Sequence, residues 1–305
     1  MAASSLRVIC GPTAAGKSAI ALWLAERYDA SIVSADSRQV YRGFDIGTAK
    51  PTLGERQRVP HYGIDILEPT RRYSAAEWAT DAAGWVEQVR KSRRAPVVVG
   101  GTGFYLRALF QPLFDAPPLD PSRREALAAV LHGMTTPELR RWCSALDPER
   151  ARLGRPQLLR AIEVALLTGQ RVSRLHADRA RAPHWTARYL LVDPGPALAA
   201  RIERRVDAML VAGWMDEVRQ LSASVPAGAP AWKASGYEVL RKVVSGAGHL
   251  DPARERVVIE TRQYAKRQRT WFRHQLAGQQ VVTLDPGRPD WTAVVDQWWH
   301  ATEEA

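Results

Sequence analysis

At 305 residues, 46% of them apolar and 25% charged, the chain is long enough for a large core and two domains, and its composition excludes intrinsic disorder. No apolar run reaches the ~18 residues of a membrane span, and the opening MAASSLRVIC runs straight into a predicted strand with no room for a signal peptide. Forty-three Lys and Arg against 32 Asp and Glu leave +11, a balance that suits a polyanion such as nucleic acid or, equally, an arginine-loaded surface without such a partner. Cys10 and Cys143 lie far apart at no metal spacing, so the expectation is a reduced, cytoplasmic protein with free thiols.

Leu6 to Cys10 predicts the first strand, and Ala19 to Tyr28 carries the apolar period of a helix. Between them Gly11-Pro12-Thr13-Ala14-Ala15-Gly16-Lys17-Ser18 matches G-x-x-x-x-G-K-[ST] at every fixed position. The strand, glycine loop, helix order separates a phosphate-binding P-loop from an ordinary glycine-rich turn. Glycines let the backbone wrap until several N–H groups point at one oligophosphate. The helix adds its positive end, Lys17 a mobile charge and Ser18 a hydroxyl ligand for Mg²⁺. The motif specifies phosphate; it does not specify the compound or the chemistry.

Ala30 to Ala35 predicts a second buried strand ending in Asp36-Ser37-Arg38-Gln39. A carboxylate there faces the ligand crevice of an open α/β sheet. Asp36 is either a metal-holding aspartate or a general base on an acceptor, and spacing does not separate the two. Asp45, Thr48 and Lys50, in the glycine-rich loop 41–51, are candidate phosphate or metal-shell groups. His61 to Ile66 predicts a third strand, and His61, without a second ligand at metal spacing, is read as structural. Ser74 and Glu77 form a capping box opening a helix to about Lys91. Ala95 to Val99 reads as a strand of the parallel, doubly covered kind. It ends in Gly100-Gly101-Thr102-Gly103, where Thr102 either simply caps the next helix or also aims its hydroxyl into the crevice.

From residue 115 helix signals dominate: Asp120-Pro121 starts one helix, Thr136-Pro137-Glu138 caps another, and a third runs from Gln157 to Thr168 before Gly169. Strand character returns only at Arg188 to Val192. The predicted organisation is therefore a core over 1–114, a helical insertion over 115–187, and the remaining core over 188–305. Pro196 to Leu221 reads as one long amphipathic segment, with Arg201 and Arg205 on one face that either clamps a diphosphate or is simply a solvated basic face. Pro252 to Leu276 predicts a helix on which Arg262, Lys266, Arg269 and Arg273 form a basic stripe, with Tyr264, Trp271 and Phe272 on other faces. Such a helix either meets RNA phosphates and unstacked bases or uses its aromatics as core anchors.

The ordered segments GPTAAGKS, SADSRQVYRGFDIGTAKP, VPHYGIDI, YSAAEW, VVVGGTGFYLRAL, LLRAIEVALLTG, KASGYEVL and TRQYAKRQRTWFR resemble those of the tRNA dimethylallyltransferases (tRNA isopentenyltransferases) over nearly the whole chain. The resemblance implies a P-loop NTPase-like α/β fold with a parallel sheet flanked by helices and a small all-helical lobe. It implies Mg²⁺-dependent transfer of a dimethylallyl group from dimethylallyl diphosphate to the exocyclic N6 amine of the adenosine 3′-adjacent to the anticodon, with diphosphate released. The P-loop Gly11–Ser18, with Thr13, Gly16, Lys17 and Ser18 foremost, and Arg205 would hold the donor's diphosphate, and Asp36 would be the general base. Asp36, Ser37, Arg38, Gln39, Thr102, Arg124 and the stretch Gln157-Leu158-Leu159-Arg160-Ala161 match tRNA-contacting positions; the helical lobe would embrace the anticodon stem-loop of tRNA, joined by Arg262, Lys266 and Arg269 of the basic helix. ARLGRPQ stands where the family usually carries an HPND-like run, which implies a different contact just before Gln157. The rivals are a small-molecule P-loop kinase using ATP, an adenylate isopentenyltransferase, and a non-catalytic RNA-binding protein. A monomer is expected.

Overall fold

The computed structural model describes residues 4–111, 119–178 and 185–301. The strands β1 (Ser4–Cys10), β2 (Ala30–Ser34), β3 (His61–Tyr62), β4 (Ala95–Gly100), β5 (Trp185–Val192) and β6 (Val281–Leu284) form one sheet in the order β3-β2-β4-β1-β5-β6, every pair parallel. Helices α1 (Lys17–Arg27), α2 (Leu53–Arg58), α3 (Ala75–Lys91) and α4 (Gly103–Phe110) alternate with the first four strands. Then come α5 (Pro121–Gly133), α6 (Thr136–Leu146), α7 (Arg155–Thr168) and α8 (Val172–Asp178). After β5 follow α9 (Leu198–Val211), α10 (Trp214–Ser224), α11 (Tyr237–Val244), α12 (Leu250–Gln275) and α13 (Trp291–His300).

Contacts divide the chain into two compact units, Met1–Phe110 with Pro183–Ala305, and Gln111–Ala182. The boundary read from sequence at 114/115 lies outside the described residues, and the one at 187/188 falls inside β5. That strand starts earlier because Trp185, Thr186 and Ala187 continue its register against Ser4, Ser5 and Leu6. Only Trp185 of the three is buried, so no continuous apolar run announced them.

The sheet is covered on both faces, as a parallel sheet requires. The pleat of β1 sends Leu6, Val8 and Cys10 to one face, against Trp78, Ala82 and Val86 of α3, Tyr105 and Leu106 of α4 and Phe272 of α12. Ile9 goes to the other, with Ile20 and Leu24 of α1 and Val295, Trp298 and Trp299 of α13. A further core joins α9 to α12, centred on Phe44, Trp214, Trp232 and Tyr237. The helical unit has its own core: Leu131 of α5, Leu139 and Cys143 of α6, Leu158, Ala161 and Ile162 of α7, and Val172 of α8.

Three sequence readings change. The single segment 196–221 is two helices, broken where Gly213 takes φ +95°, a value only glycine adopts cheaply. The third strand is two residues long, since only Ile32 and Val33 of β2 pair with it. β6 and α13 were not read from the pattern at all, because β6 is a four-residue strand recognisable mainly by its pairing with β5.

Trp78 is fully buried, stacks on Tyr105 with centroids 4.7 Å apart, and donates its indole N–H to the Ser34 carbonyl at 3.0 Å, two residues before Asp36. Trp78→Ala is expected to lower unfolding stability by about 3–5 kcal/mol, the usual range for a buried tryptophan. Urea denaturation at constant m-value measures it.

Candidate active site

The loop after β1 carries the phosphate motif. Ala14 and Gly16 both take left-handed backbone, at φ +61° and +102°, which turns successive N–H groups toward one side. Gly16 then caps α1, so the positive end of that helix opens at Lys17 and Ser18. Lys17 donates from Nζ to the Pro12 carbonyl of its own loop at 2.8 Å. Burial and the neighbouring Arg205 cation lower its pKa to about 8, although Asp36 pulls the other way. Cys10, just behind the loop, is buried and its thiol is pushed up to about 12, so it takes part as a neutral apolar group.

The second loop follows β2. Ala35 N–H bonds Val99 O at 2.7 Å and Ala35 O accepts Thr102 N–H at 3.2 Å, tying the ends of β2 and β4 together. Asp36 Oδ1 accepts the Arg38 N–H at 2.8 Å, and Thr102 Oγ1 accepts the Ser37 N–H at 3.1 Å. Thr102 thus serves as more than a helix cap: it fixes the turn that presents Asp36.

Two cavities meet here, of about 1090 Å³ and 700 Å³. The larger is lined by the P-loop residues Thr13, Gly16, Lys17 and Ser18 and by Arg201, Arg204 and Arg205 of α9. The smaller is lined by Ser37, Arg38, Thr102, Phe104, Arg267 and Trp271. Thr13, Asp36, Gly101, Arg205, Tyr264 and Gln268 line both. Burial lowers the pKa of Arg205, while Asp36 opposes the shift. Burial raises Tyr264, beside Asp36 and Thr102, to about 12, so it stays a neutral hydroxyl.

Several candidates are committed elsewhere. Gln39 accepts from Ser34 Oγ and donates to the carbonyls of Thr48 and Ala49, so it holds the loop 44–50. Lys50 is held by Asp45, Asp65 and the Tyr41 carbonyl, and Thr48 Oγ1 donates to Phe44 O at 2.6 Å. These three polar residues build a cavity wall. Glu217 completes it by accepting the N–H groups of Asp45 at 3.0 Å and Ile46 at 2.6 Å and the Tyr237 hydroxyl at 2.5 Å. His61 bonds the Val59 carbonyl through Nδ1 at 2.8 Å, and burial lowers its pKa, in keeping with a structural role.

On α12, Arg269 grips Asp193 and the Gly195 carbonyl, and Arg262 pairs with Glu203, whereas Lys266 is exposed. The face turned to the cavities carries Tyr264 and Trp271, two of the interleaved aromatics, and between them Gln268, which the reading of the basic stripe passed over. Their spacing of four and three is the signal that could have found Gln268. In the helical unit, Arg124 and Arg160 flank Glu163 at 3.3 and 3.5 Å. Leu158 and Ala161 point into that unit's core, Leu159 is half-buried, and Gln157 is exposed; the surface of this stretch therefore belongs to Gln157 and Arg160.

Among the described residues no three His, Cys, Asp or Glu side chains are grouped to hold a metal ion. A hard cation that keeps its waters and shares phosphate oxygens needs only one or two protein oxygens, and Ser18 and Asp36, both lining the larger cavity, match that chemistry. No helix of the described residues is long and apolar enough to cross a membrane.

A P-loop, clustered cations and a carboxylate at the carboxyl ends of parallel strands define an α/β protein that handles an oligophosphate. The IPP transferase model matches residues 39–275, and a model for isopentenyl transferase matches residues 4–61. The tRNA dimethylallyltransferase of Bordetella petrii is 42% identical over 285 residues, 89% of this chain and 91% of that relative; that of Geobacter metallireducens is 42% identical over 275 residues, 88% and 89%. Among solved structures, tRNA delta(2)-isopentenylpyrophosphate transferase from Staphylococcus epidermidis has a TM-score of 0.67 at 30% identity, covering 96% of this chain and 97% of that one. A eukaryotic dimethylallyltransferase acting on tRNA has a TM-score of 0.79 at 25% identity, covering 96% and 77%. The chain belongs to the IPP transferase family.

Lys17 binds an anion as the cation, the form that dominates below its pKa of about 8. Affinity for inorganic pyrophosphate is therefore expected to weaken above pH 8, by up to ~tenfold per unit for one linked proton. Isothermal titration beside Lys17→Met, which cancels the ligand's own titration, should show that extra slope only with lysine present.

Proposed function

We propose that this chain transfers a dimethylallyl group from dimethylallyl diphosphate to the N6 amine of the adenosine 3′-adjacent to the anticodon in tRNA, releasing diphosphate. The observation that carries the reading is the meeting of two cavities at Asp36, with Thr13 of the P-loop and Arg205 also lining both. One cavity takes the donor, the other the acceptor base, and the carboxylate stands where they join.

The donor's diphosphate lies on the P-loop N–H groups at the head of α1, with Lys17 and Arg205 against its oxygens and Thr13 beside them. These groups stabilise the negative charge that grows as the allylic C–O bond breaks. Ser18 would hold Mg²⁺, which when bound would supply further charge neutralisation. An exocyclic amine of adenine is a weak nucleophile, because its lone pair is delocalised into the ring. Asp36, oriented by the Arg38 N–H, accepts a proton from that amine as the new C–N bond forms.

The base reaches the site by leaving the anticodon-loop stack, at a cost of a few kcal/mol. Ser37, Arg38, Thr102, the exposed Phe104 and the half-buried Trp271 of the smaller cavity receive it. Arg124, Gln157 and Arg160 of the helical unit and Lys266 of α12 bind the phosphates of the anticodon arm, which offsets that cost. A monomeric, cytoplasmic enzyme completes the proposal.

With purified protein, Mg²⁺, labelled dimethylallyl diphosphate and unmodified tRNA, label is expected in tRNA and absent from parallel AMP and ATP acceptors. Label in AMP would make the acceptor a free nucleotide; ATP consumption without prenyl transfer would make the chain a kinase. Asp36→Ala is expected to lower kcat at least ~10²-fold, the lower range for loss of a general base, with tRNA affinity by filter binding little changed. Near-normal turnover would remove Asp36 from that role.

A further inference from the structure

One side chain bridges the two loops on which the reaction depends. Gln268 Oε1 accepts the Thr13 N–H of the P-loop at 2.8 Å, and its Nε2 donates to the Gly101 carbonyl at 2.8 Å. Gly101 precedes Thr102, whose hydroxyl accepts the N–H beside Asp36. The amide is 7% exposed and arrives from α12, an element separate from both loops. Gly101 is the residue that admits it: a Cβ there would stand 2.4 Å from Gln268 Nε2 and 3.1 Å from the Gly11 carbonyl, leaving no room for a side chain.

Both ends of the amide are used with the only polarity that works, an acceptor toward an N–H and a donor toward a carbonyl. Methionine has neither hydrogen-bonding group, and an ionised glutamate would set an oxygen against the Gly101 oxygen. We infer that Gln268 is a positioning residue, the strut that sets the separation between the diphosphate on the P-loop and the amine at Asp36. The inference rests on the prenyl-transfer reading. In that displacement the attacking nitrogen, allylic carbon and leaving oxygen must lie in near-attack geometry, and a shift of about 1 Å costs ~10²-fold in rate. Without the strut, the two loops keep the pairing of β1 and β2 with β4 behind them.

Two variants of similar volume test this. Gln268→Met removes both hydrogen bonds. Gln268→Glu removes the donor while ionised and restores it when protonated, because a carboxyl O–H reaches the Gly101 carbonyl as the amide does. The charged or titratable groups lining both cavities are Asp36 after β2, Arg205 on α9 and Tyr264 on α12; the larger cavity adds Lys17, Asp45, Lys50, Glu55, Arg56, His61, Asp65, Arg201 and Arg204, and the smaller Arg38, Lys233, Arg256, Glu260 and Arg267, with Arg269 and Asp193 paired nearby. All are retained in both variants, and the methionine variant, which adds no charge, shows through its ratio to wild type at each pH how much their own titration contributes.

Gln268→Met is expected to lose ~10²-fold in kcat at every pH, with KM for both substrates within about threefold of wild type. Gln268→Glu should share that loss at pH 8.5 and recover at least ~tenfold relative to wild type at pH 6. A methionine variant within threefold of wild-type kcat overturns the inference, as does a glutamate deficit that is the same at both pH values, since packing alone would then explain it. Far-UV circular dichroism and urea midpoints accompany each variant. The pH comparison is made within one folded glutamate protein, so it decides the matter even if the methionine protein does not fold. A wild-type protein that transfers no prenyl group sinks the prenyl-transfer reading and this inference with it, whereas active wild type with unaffected variants sinks only the role of Gln268.

Discussion

The structure depends on an electrostatic tension at the carboxyl ends of its parallel strands. Lys17 and Arg205 line one cavity half-buried, each lowered in pKa by burial, with Arg205 pressing further on Lys17. Asp36 relieves part of that repulsion, and a polyanion would relieve the rest. A site built this way favours a diphosphate over a neutral ligand, because only the anion lowers the energy of both cations at once.

The remaining architecture keeps the carboxylate and the cations in that relation. β1, β2 and β4 are neighbours or next neighbours in the sheet, so their loops emerge side by side. Short backbone bonds and single side chains then lock loop to loop: Thr102 to Ser37, Gln268 to Thr13 and Gly101, Gln39 to Thr48 and Ala49, and Glu217 to Asp45 and Ile46. Each lock pairs backbone N–H or carbonyl groups of one loop with a side chain from elsewhere in the chain. Precision here comes from the number of independent elements converging on the loops, since no single loop is rigid alone. The helical unit closes its own core and keeps Arg124 and Arg160 beside Glu163.

The P-loop, the strands β1, β2 and β4 and the capped helix α3 were legible in the chain because each signal is local. A glycine pattern, a continuous apolar run and a capping box all act within one element. Asp36 and Thr102 were legible as candidates for the same reason: each stands directly after a recognisable strand. The basic stripe of α12 was a weaker guide. Charge at helical spacing names a face without saying what lies opposite it, and two of the arginines turn out to face Asp193 and Glu203, while Tyr264, Gln268 and Trp271 face the cavities.

By itself, then, the chain's order of residues determined the phosphate loop, the alternation of strands and helices, the presence of a helical insertion and the family signatures. Tertiary structure alone decided that the segment after β5 breaks at Gly213, that β6 exists, that Lys50 and Gln39 support a wall, and that Leu158 and Ala161 serve a core. It alone decided that Gln268 stands between two loops more than a hundred residues from it in the chain. The physical reason is range. Propensity, capping and apolar period are settled among neighbours in sequence, whereas a strand's partner, a cation's counter-charge and an amide's two hydrogen bonds are settled by whichever distant element packing brings within reach.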